Sequence, residues 1–239
     1  MKLKLPIVTS FMLILFVVSS CIFSGPSIKG SGNIKEETRN TGDFTEIKVS
    51  RGMNVYISQG EQTKVVVRAD ENLLDAIETD VEGDALNITV TKFIRNASTM
   101  KVFVTTPKLE AIKSSSGSNA FSETLLKGKE LKLSASAGSN IKLEINAVNT
   151  EVSASSGSNI TLEGETELFT GKASAGSNIK AERLNSKKCE ARVSSGANIW
   201  ITANGDFSGR ASSGGNVFYY GNPESTNIEK SSGGNVIKN

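Results

Sequence analysis

The chain has no histidine among its 239 residues. That absence removes His-based catalytic triads, imidazole general acid/base chemistry and the usual catalytic zinc sets. Cysteine is limited to Cys21 and Cys189. With Cys21 consumed by the modification argued below, Cys189 has no intrachain partner, and stability must come from packing even where the compartment permits disulfides. Aspartate thins out as well, since Asp206 is the only one after Asp84. No charge excess remains either: there are 27 basic and 25 acidic residues, and the loss of Lys2 and Lys4 with the leader makes them equal. Net charge therefore nominates neither nucleic acid nor an anionic surface as a partner.

What is present begins with an export signal over residues 1–21. Lys2 and Lys4 precede an apolar stretch, 7–18, that is too short for a spanning helix with its usual flanks. Val18-Ser19-Ser20-Cys21 resembles a bacterial lipobox, with small residues before the Cys, so Cys21 is expected to become the lipidated first residue of an outer-membrane lipoprotein. An ordinary signal peptide with a Cys near the cut is the plainer alternative. Residues 22–40, rich in Gly, Ser, Lys and Asn, are expected to form a flexible tether. About 200 residues then remain, enough for one sizeable core.

The last 125 residues carry an internal repeat. A Gly-x-Asn pair recurs seven times: Gly117 and Asn119, Gly138 and Asn140, Gly157 and Asn159, Gly176 and Asn178, Gly196 and Asn198, Gly214 and Asn216, Gly233 and Asn235. The intervals of 21, 19, 19, 20, 18 and 19 residues lie in the range where one supersecondary unit stacks on its copy. Two residues before each Gly stands a Ser, and after each Asn stands a small or aliphatic residue: Ala120, Ile141, Ile160, Ile179, Ile199, Val217 and Val236. That position is expected to face the core. Positions three, five and seven before the Gly are mostly apolar or small, with Lys172, Arg192 and Arg210 four before it, a period of two that means strand.

The predicted fold is all-β, a parallel β-helix (β-solenoid) of about seven regular coils of ~19 residues over 111–239, a rod on the order of 30 Å long. Gly suits a corner with positive φ; Asn tolerates the left-handed region, and its amide can bond to the Asn of the next copy. The in-register Ser residues can form a similar column, and such turns are expected to be architectural. Cys189 falls level with Leu131, Phe169 and Phe207, where it should act as a buried small hydrophobe. Upstream, Ser50, Gly52, Asn54 and Val55 form an eighth, isolated match. Strand-like runs follow at 65–68, 85–91 and 101–105, with a helical turn at 71–77. Residues 41–110 are thus β-rich but less regular, as enlarged first coils or a cap.

Three stretches resemble the putative auto-transporter adhesin head domain named GIN, a family of surface and periplasmic proteins of Bacteroidetes. They are Gly42-Asp43-Phe44-Thr45-Glu46-Ile47-Lys48-Val49, Val65-Val66-Val67-Arg68-Ala69-Asp70-Glu71-Asn72-Leu73-Leu74 and Pro107-Lys108-Leu109-Glu110-Ala111-Ile112, followed by the Ser/Gly/Asn repeats. The resemblance covers nearly all of the mature chain. It implies a β-solenoid and an envelope location, and its name suggests adhesion. It brings no catalytic motif.

For function, the sequence points first to a non-catalytic binding module. Two residues after the turn Asn, a position expected to point outward, the copies read Phe121, Lys142, Thr161, Lys180, Trp200, Phe218 and Ile237. Trp200, Phe218 and Ile237 are expected to stack into an exposed apolar ladder, with Tyr219 and Tyr220 close by, a surface that suits a glycan, a surface protein or a second copy of the chain. The alternatives are a polysaccharide lyase or hydrolase on the same fold and a ligand-free envelope scaffold. For an enzyme the available acids are Glu163, Glu165 and Glu167, which alternate so that they could share a face, hold a cation or act as a carboxylate pair; the plainer reading is a solvated cluster protecting a strand edge. No metal or cofactor is expected.

Overall fold

A computed structural model describes residues 27–239; the leader 1–21 and the lipidation of Cys21 lie outside the described residues. Among the described residues no helix is long and apolar enough to cross a membrane. The chain is a β-solenoid of about seven regular turns joined to a less regular N-terminal sheet.

The regular coils are carried by β10 (Ala111–Ser114), β11 (Asn119–Ser122), β12 (Leu126–Ala135), β13 (Asn140–Ala154), β14 (Asn159–Ala173), β15 (Asn178–Val193), β16 (Asn198–Ala211), β17 (Asn216–Tyr220), β18 (Ser225–Lys230) and β19 (Asn235–Lys238). All of their mutual pairings are parallel and place turn on turn, so that Asn140 lies opposite Asn159 and Ala154 opposite Ala173. Strands β13 to β16 each run a whole coil from one corner to the next. In β13 the alternation of buried and exposed residues breaks at Val148 and Asn149, where the coil bends from its first face to its second. Two inward rows result, one after the Gly-x-Asn corner and one before it.

Each corner turns through two residues with positive φ, for example Ser116 at 52° and Gly117 at 70°, closed by the Ser118 N–H donating to the Ser115 carbonyl at 3.2 Å. These φ signs are those of a type I′ turn. The left-handed non-glycine residue is therefore the one before the Gly, as at Ala137, Ser156 and Ala175, and the expectation that Asn would take that role is corrected. Asn starts the next strand, where an extended backbone frees its amide for the neighbouring coil. From Asn119 to Asn235 each Asn donates its side-chain N–H to Oδ1 of the Asn in the preceding coil, at 2.8 to 3.0 Å, and the column starts at Asn54. The hydroxyls that tie coil to coil stand one residue after the Gly, not two before it. Ser118, Ser139, Ser158 and Ser177 are fully buried and donate to the carbonyls of Val49, Ser114, Ala135 and Ala154.

The core is a set of stacked columns. Val55, Ala120, Ile141, Ile160, Ile179, Ile199, Val217 and Val236 are at most 4% exposed, and each such aliphatic chain contributes about 1.5–3 kcal/mol of burial. On the other inner face Leu131, Thr150, Phe169, Cys189 and Phe207 lie in one register. Two residues along, Leu133, Val152, Gly171, Ala191 and Gly209 compensate in volume: where the first column has Phe, the second has Gly. A Cβ on Gly171 would lie 2.6 Å from Phe169 Cε1, and one on Gly209 2.8 Å from Phe207 Cζ.

The isolated eighth match is a coil of the same stack. Strands β3 (Glu46–Val49) and β4 (Asn54–Gln59) pair parallel with β10 and β11, and on their other side with β7 (Ala85–Val90) and β9 (Met100–Thr106). The first coil in sequence thus sits inside the stack. Beyond it the strands turn antiparallel: β5 (Lys64–Asp70) pairs with β9, and β6 (Ile77–Glu82) with β7, linked by a 3-10 turn, Glu71–Ala76. The tether expected over 22–40 is corrected from Ser27 onward. Strand β1 (Ser27–Lys29) pairs with β8 (Phe93–Asn96), and β2 (Ile34–Arg39) runs antiparallel along β5. The physical reason is the edge of β5, whose open N–H and C=O groups β2 satisfies despite its own polar composition.

Candidate functional site

The strand after each corner sends every second side chain outward, so the position two after the turn Asn forms a column along the outer face. Registers through successive pairs order it as Phe103, Tyr56, Phe121, Lys142, Thr161, Lys180, Trp200, Phe218 and Ile237. At about 4.8 Å per rung it is on the order of 40 Å long. Both ends are aromatic or apolar, and Lys-Thr-Lys lies between them.

At the C-terminal end Trp200 and Phe218 stack with ring centroids 5.3 Å apart and planes within 11°. Nearly parallel rings at this distance form a continuous apolar rung pair on the outer face. Both are half-buried, and Ile237 is 40% exposed. Tyr219 does not belong to this surface. It is 8% exposed and stacks on Phe207 at 4.5 Å inside the solenoid, because strand alternation turns the residue after Phe218 inward. Tyr220 points outward again, its hydroxyl accepting from Asn239 Nδ2 at 3.1 Å.

The other end holds a second aromatic group that reading the repeats alone did not reveal. Tyr56 stacks on Phe103 at 5.2 Å and lies against Phe121 at 5.4 Å, with Lys101 Nζ 5.2 Å from the Tyr56 centroid. Phe103 is far from any Gly-x-Asn turn, and only the pairing of β4 with β9 brings it into the column. The eighth match at Asn54 is the signal that could have placed Tyr56. Beside these rings a groove of about 450 Å³ is lined by Tyr56, Phe121, Glu123, Lys142, Glu144 and Glu163.

The candidate acids are separated by their partners. Glu163 pairs with Arg183 and Glu167 with Lys187 at 2.7 Å, cations of the next coil, and the Glu167 carboxylate raises the Lys187 ammonium above its ordinary value by hydrogen bonding. Glu165 lies opposite Asn146 and Asn185. Among the described residues no three His, Cys, Asp or Glu side chains are placed to hold a metal ion. Cys189 is 2% exposed, and burial pushes its thiol up to about 11, against the smaller opposing effect of Ser186. It is a core residue of the kind its register implies.

Residues 43–223, well over half of the chain, match the family described as putative auto-transporter adhesin, head GIN domain. The chain belongs to this family. Its fold is shared with solved structures of low identity. A putative adhesin from Bacteroides fragilis superposes with a TM-score of 0.83 at 20% identity, covering 89% of this chain and 100% of its own. A putative adhesin from Parabacteroides merdae gives 0.72 at 19%, and a putative lipid binding protein from Parabacteroides distasonis 0.70 at 19%; each covers 90% of this chain and 100% of its own. No curated protein matches the chain. The head GIN domain assignment agrees with an adhesin-like protein of the cell envelope or surface.

Proposed function

We propose that this head GIN domain protein is a lipid-anchored, non-catalytic binding module of the outer membrane, holding glycan through the outward aromatic column. The supporting observation is the Trp200–Phe218 stack: two large rings, nearly parallel, standing on the outer face of the sheet. Flat apolar faces on a preorganised scaffold suit the apolar face of a sugar ring, and hydroxyl-bonding groups such as Thr161 and Lys180 stand on the rungs before them. The same column suits a protein partner, which the experiment separates from glycan. The chain's lack of histidine and the ion pairs of Glu163 and Glu167 support the non-catalytic part of the reading. The lipid anchor rests on the Val18-Ser19-Ser20-Cys21 motif.

The test is a glycan array and a cell-attachment assay with the wild type and with Trp200→Ser/Phe218→Ser. Attachment and glycan binding should fall together, with the thermal midpoint nearly unchanged because both side chains stand outside the core. Unchanged binding by the double variant would remove the column from consideration, and attachment lost without any glycan signal would favour a protein partner.

A further inference from the structure

The strand before each corner carries its own outward column, and its chemistry differs. Four residues before each turn Gly, the register reads Lys48, Lys113, Ser134, Ser153, Lys172, Arg192, Arg210 and Glu229. Three cations, Lys172, Arg192 and Arg210, stand on consecutive coils at strand spacing. Like charges directly opposite one another in a sheet are destabilising, and Ser134 and Ser153 at the same position show that the corner does not require a cation. Arg192 shares one donor with Glu190 in its own strand, and Arg210 reaches Glu229 at 3.1 Å, which leaves most of the five donors of each guanidinium unused. Arg210 Nε is shut off from solvent without a hydrogen-bond partner. Among the described residues Lys172 and Lys230 have no ion pair. These side chains line a shallow groove of about 530 Å³ together with Ser174 and Ser194.

We infer that this groove binds an acidic polysaccharide, one whose carboxylates lie along the solenoid axis against Lys172, Arg192 and Arg210 while its hydroxyls meet the flanking serines. Charge complementarity carries the choice of an anion: four cations, Lys172, Arg192, Arg210 and Lys230, line the groove with one acid, Glu229, and Glu190 stands beside Arg192. A linear chain fits because the cations run in single file along the axis. A lipid surface fits less well, since the exposed large apolar side chains, Ile34, Phe93, Val148, Ile228 and Ile237, stand outside the column. This site is on the opposite strand of the coil from Trp200 and does not depend on the aromatic column.

The experiment titrates residues 22–239, which keep every described strand and lack the lipidated Cys21, in detergent-free buffer with polygalacturonate, with neutral dextran, and with phosphatidylglycerol vesicles. In the Trp200→Ser/Phe218→Ser background, which removes the aromatic column, polygalacturonate should bind and dextran should not, and affinity should fall as salt rises from about 50 to about 200 mM. Lys172→Gln/Arg192→Gln/Arg210→Gln should weaken binding roughly tenfold or more. Lys172→Gln alone, which breaks no ion pair, should weaken it about threefold with an unchanged thermal midpoint. Because this background lacks the aromatic column, failure of the aromatic reading and failure of this one are distinguishable. Equal affinity in the triple and single variants, equal binding of dextran, or binding of the vesicles without polygalacturonate would overturn the inference.

Discussion

Asn178 donates its side-chain Nδ2–H to Oδ1 of Asn159 at 3.0 Å, and Asn159 donates in the same sense to Asn140 at 3.0 Å. Every interior member of this column is at once donor and acceptor, so deleting one side chain orphans two neighbours. Asn159→Ala should therefore cost about 1–3 kcal/mol, measured as a shift of the denaturant midpoint. Asn159→Asp keeps the acceptor for Asn178 but turns an acceptor toward Asn140 Oδ1, and it should destabilise as well. A column that tolerates both changes within error would have no share in holding the coils together.

The Phe169–Gly171 pair should be as sensitive as any position in the core. A methyl group at Gly171 meets Phe169 Cε1 at 2.6 Å, and Phe169 is hemmed in by Thr150 and Cys189 in its column. Gly171→Ala is expected to lower stability by about 1–3 kcal/mol, and Phe169→Leu in the same chain to restore part of it. The volume argument fails if Gly171→Ala alone melts with the wild type.

Asp70 ties the N-terminal end together. It is fully buried, and its carboxylate accepts from the Gly32 N–H at 2.6 Å, the Ser98 N–H at 2.7 Å and the Thr99 N–H at 3.3 Å. Burial alone would raise its pKa, yet the backbone donors outweigh burial and hold the carboxyl below the ordinary range. A depressed folded value means that the stabilisation is present above the unfolded pKa of about 3.9 and is lost as pH falls through the folded value. Amide protection factors in β2 and around Ser98 should fall below about pH 4 while those of the regular coils hold, and Asp70→Asn should show the lower protection at neutral pH. Uniform loss of protection along the whole rod would contradict this.

Cys189 should be inert in the folded chain. With the thiol pushed up to about 11, the thiolate fraction near pH 8 is at least about a hundredfold below that of a free cysteine. Labelling by an aromatic disulfide reagent should wait for unfolding; labelling at the free-thiol rate under native conditions would show that the column opens.

The repeat was legible in sequence because its determinants are local. Gly at the corner, Asn at the start of a strand and an aliphatic residue after it each satisfy a constraint inside one coil, so their spacing alone sets strand, corner and inward face, and it places Cys189 in the core. Features set by contacts between coils leave no such local trace. Which residue takes the left-handed conformation, Ala175 rather than Asn178, follows from the amide being committed to the neighbouring coil. Proximity along the chain places Tyr219 beside Phe218, whereas strand alternation sends it to Phe207.

By itself the sequence determined a parallel all-β stack, its period, its core columns and the family to which it belongs, since each follows from short-range periodicity repeated seven times. Tertiary structure alone decided that β3 and β4 sit inside the stack between β7–β9 and β10–β11, that β2 closes the edge of β5, and that Phe103 joins Tyr56 and Phe121 on the outer face. These depend on pairings between residues 26 to 65 positions apart, where hydrogen-bond satisfaction along open strand edges, not local propensity, selects the partner.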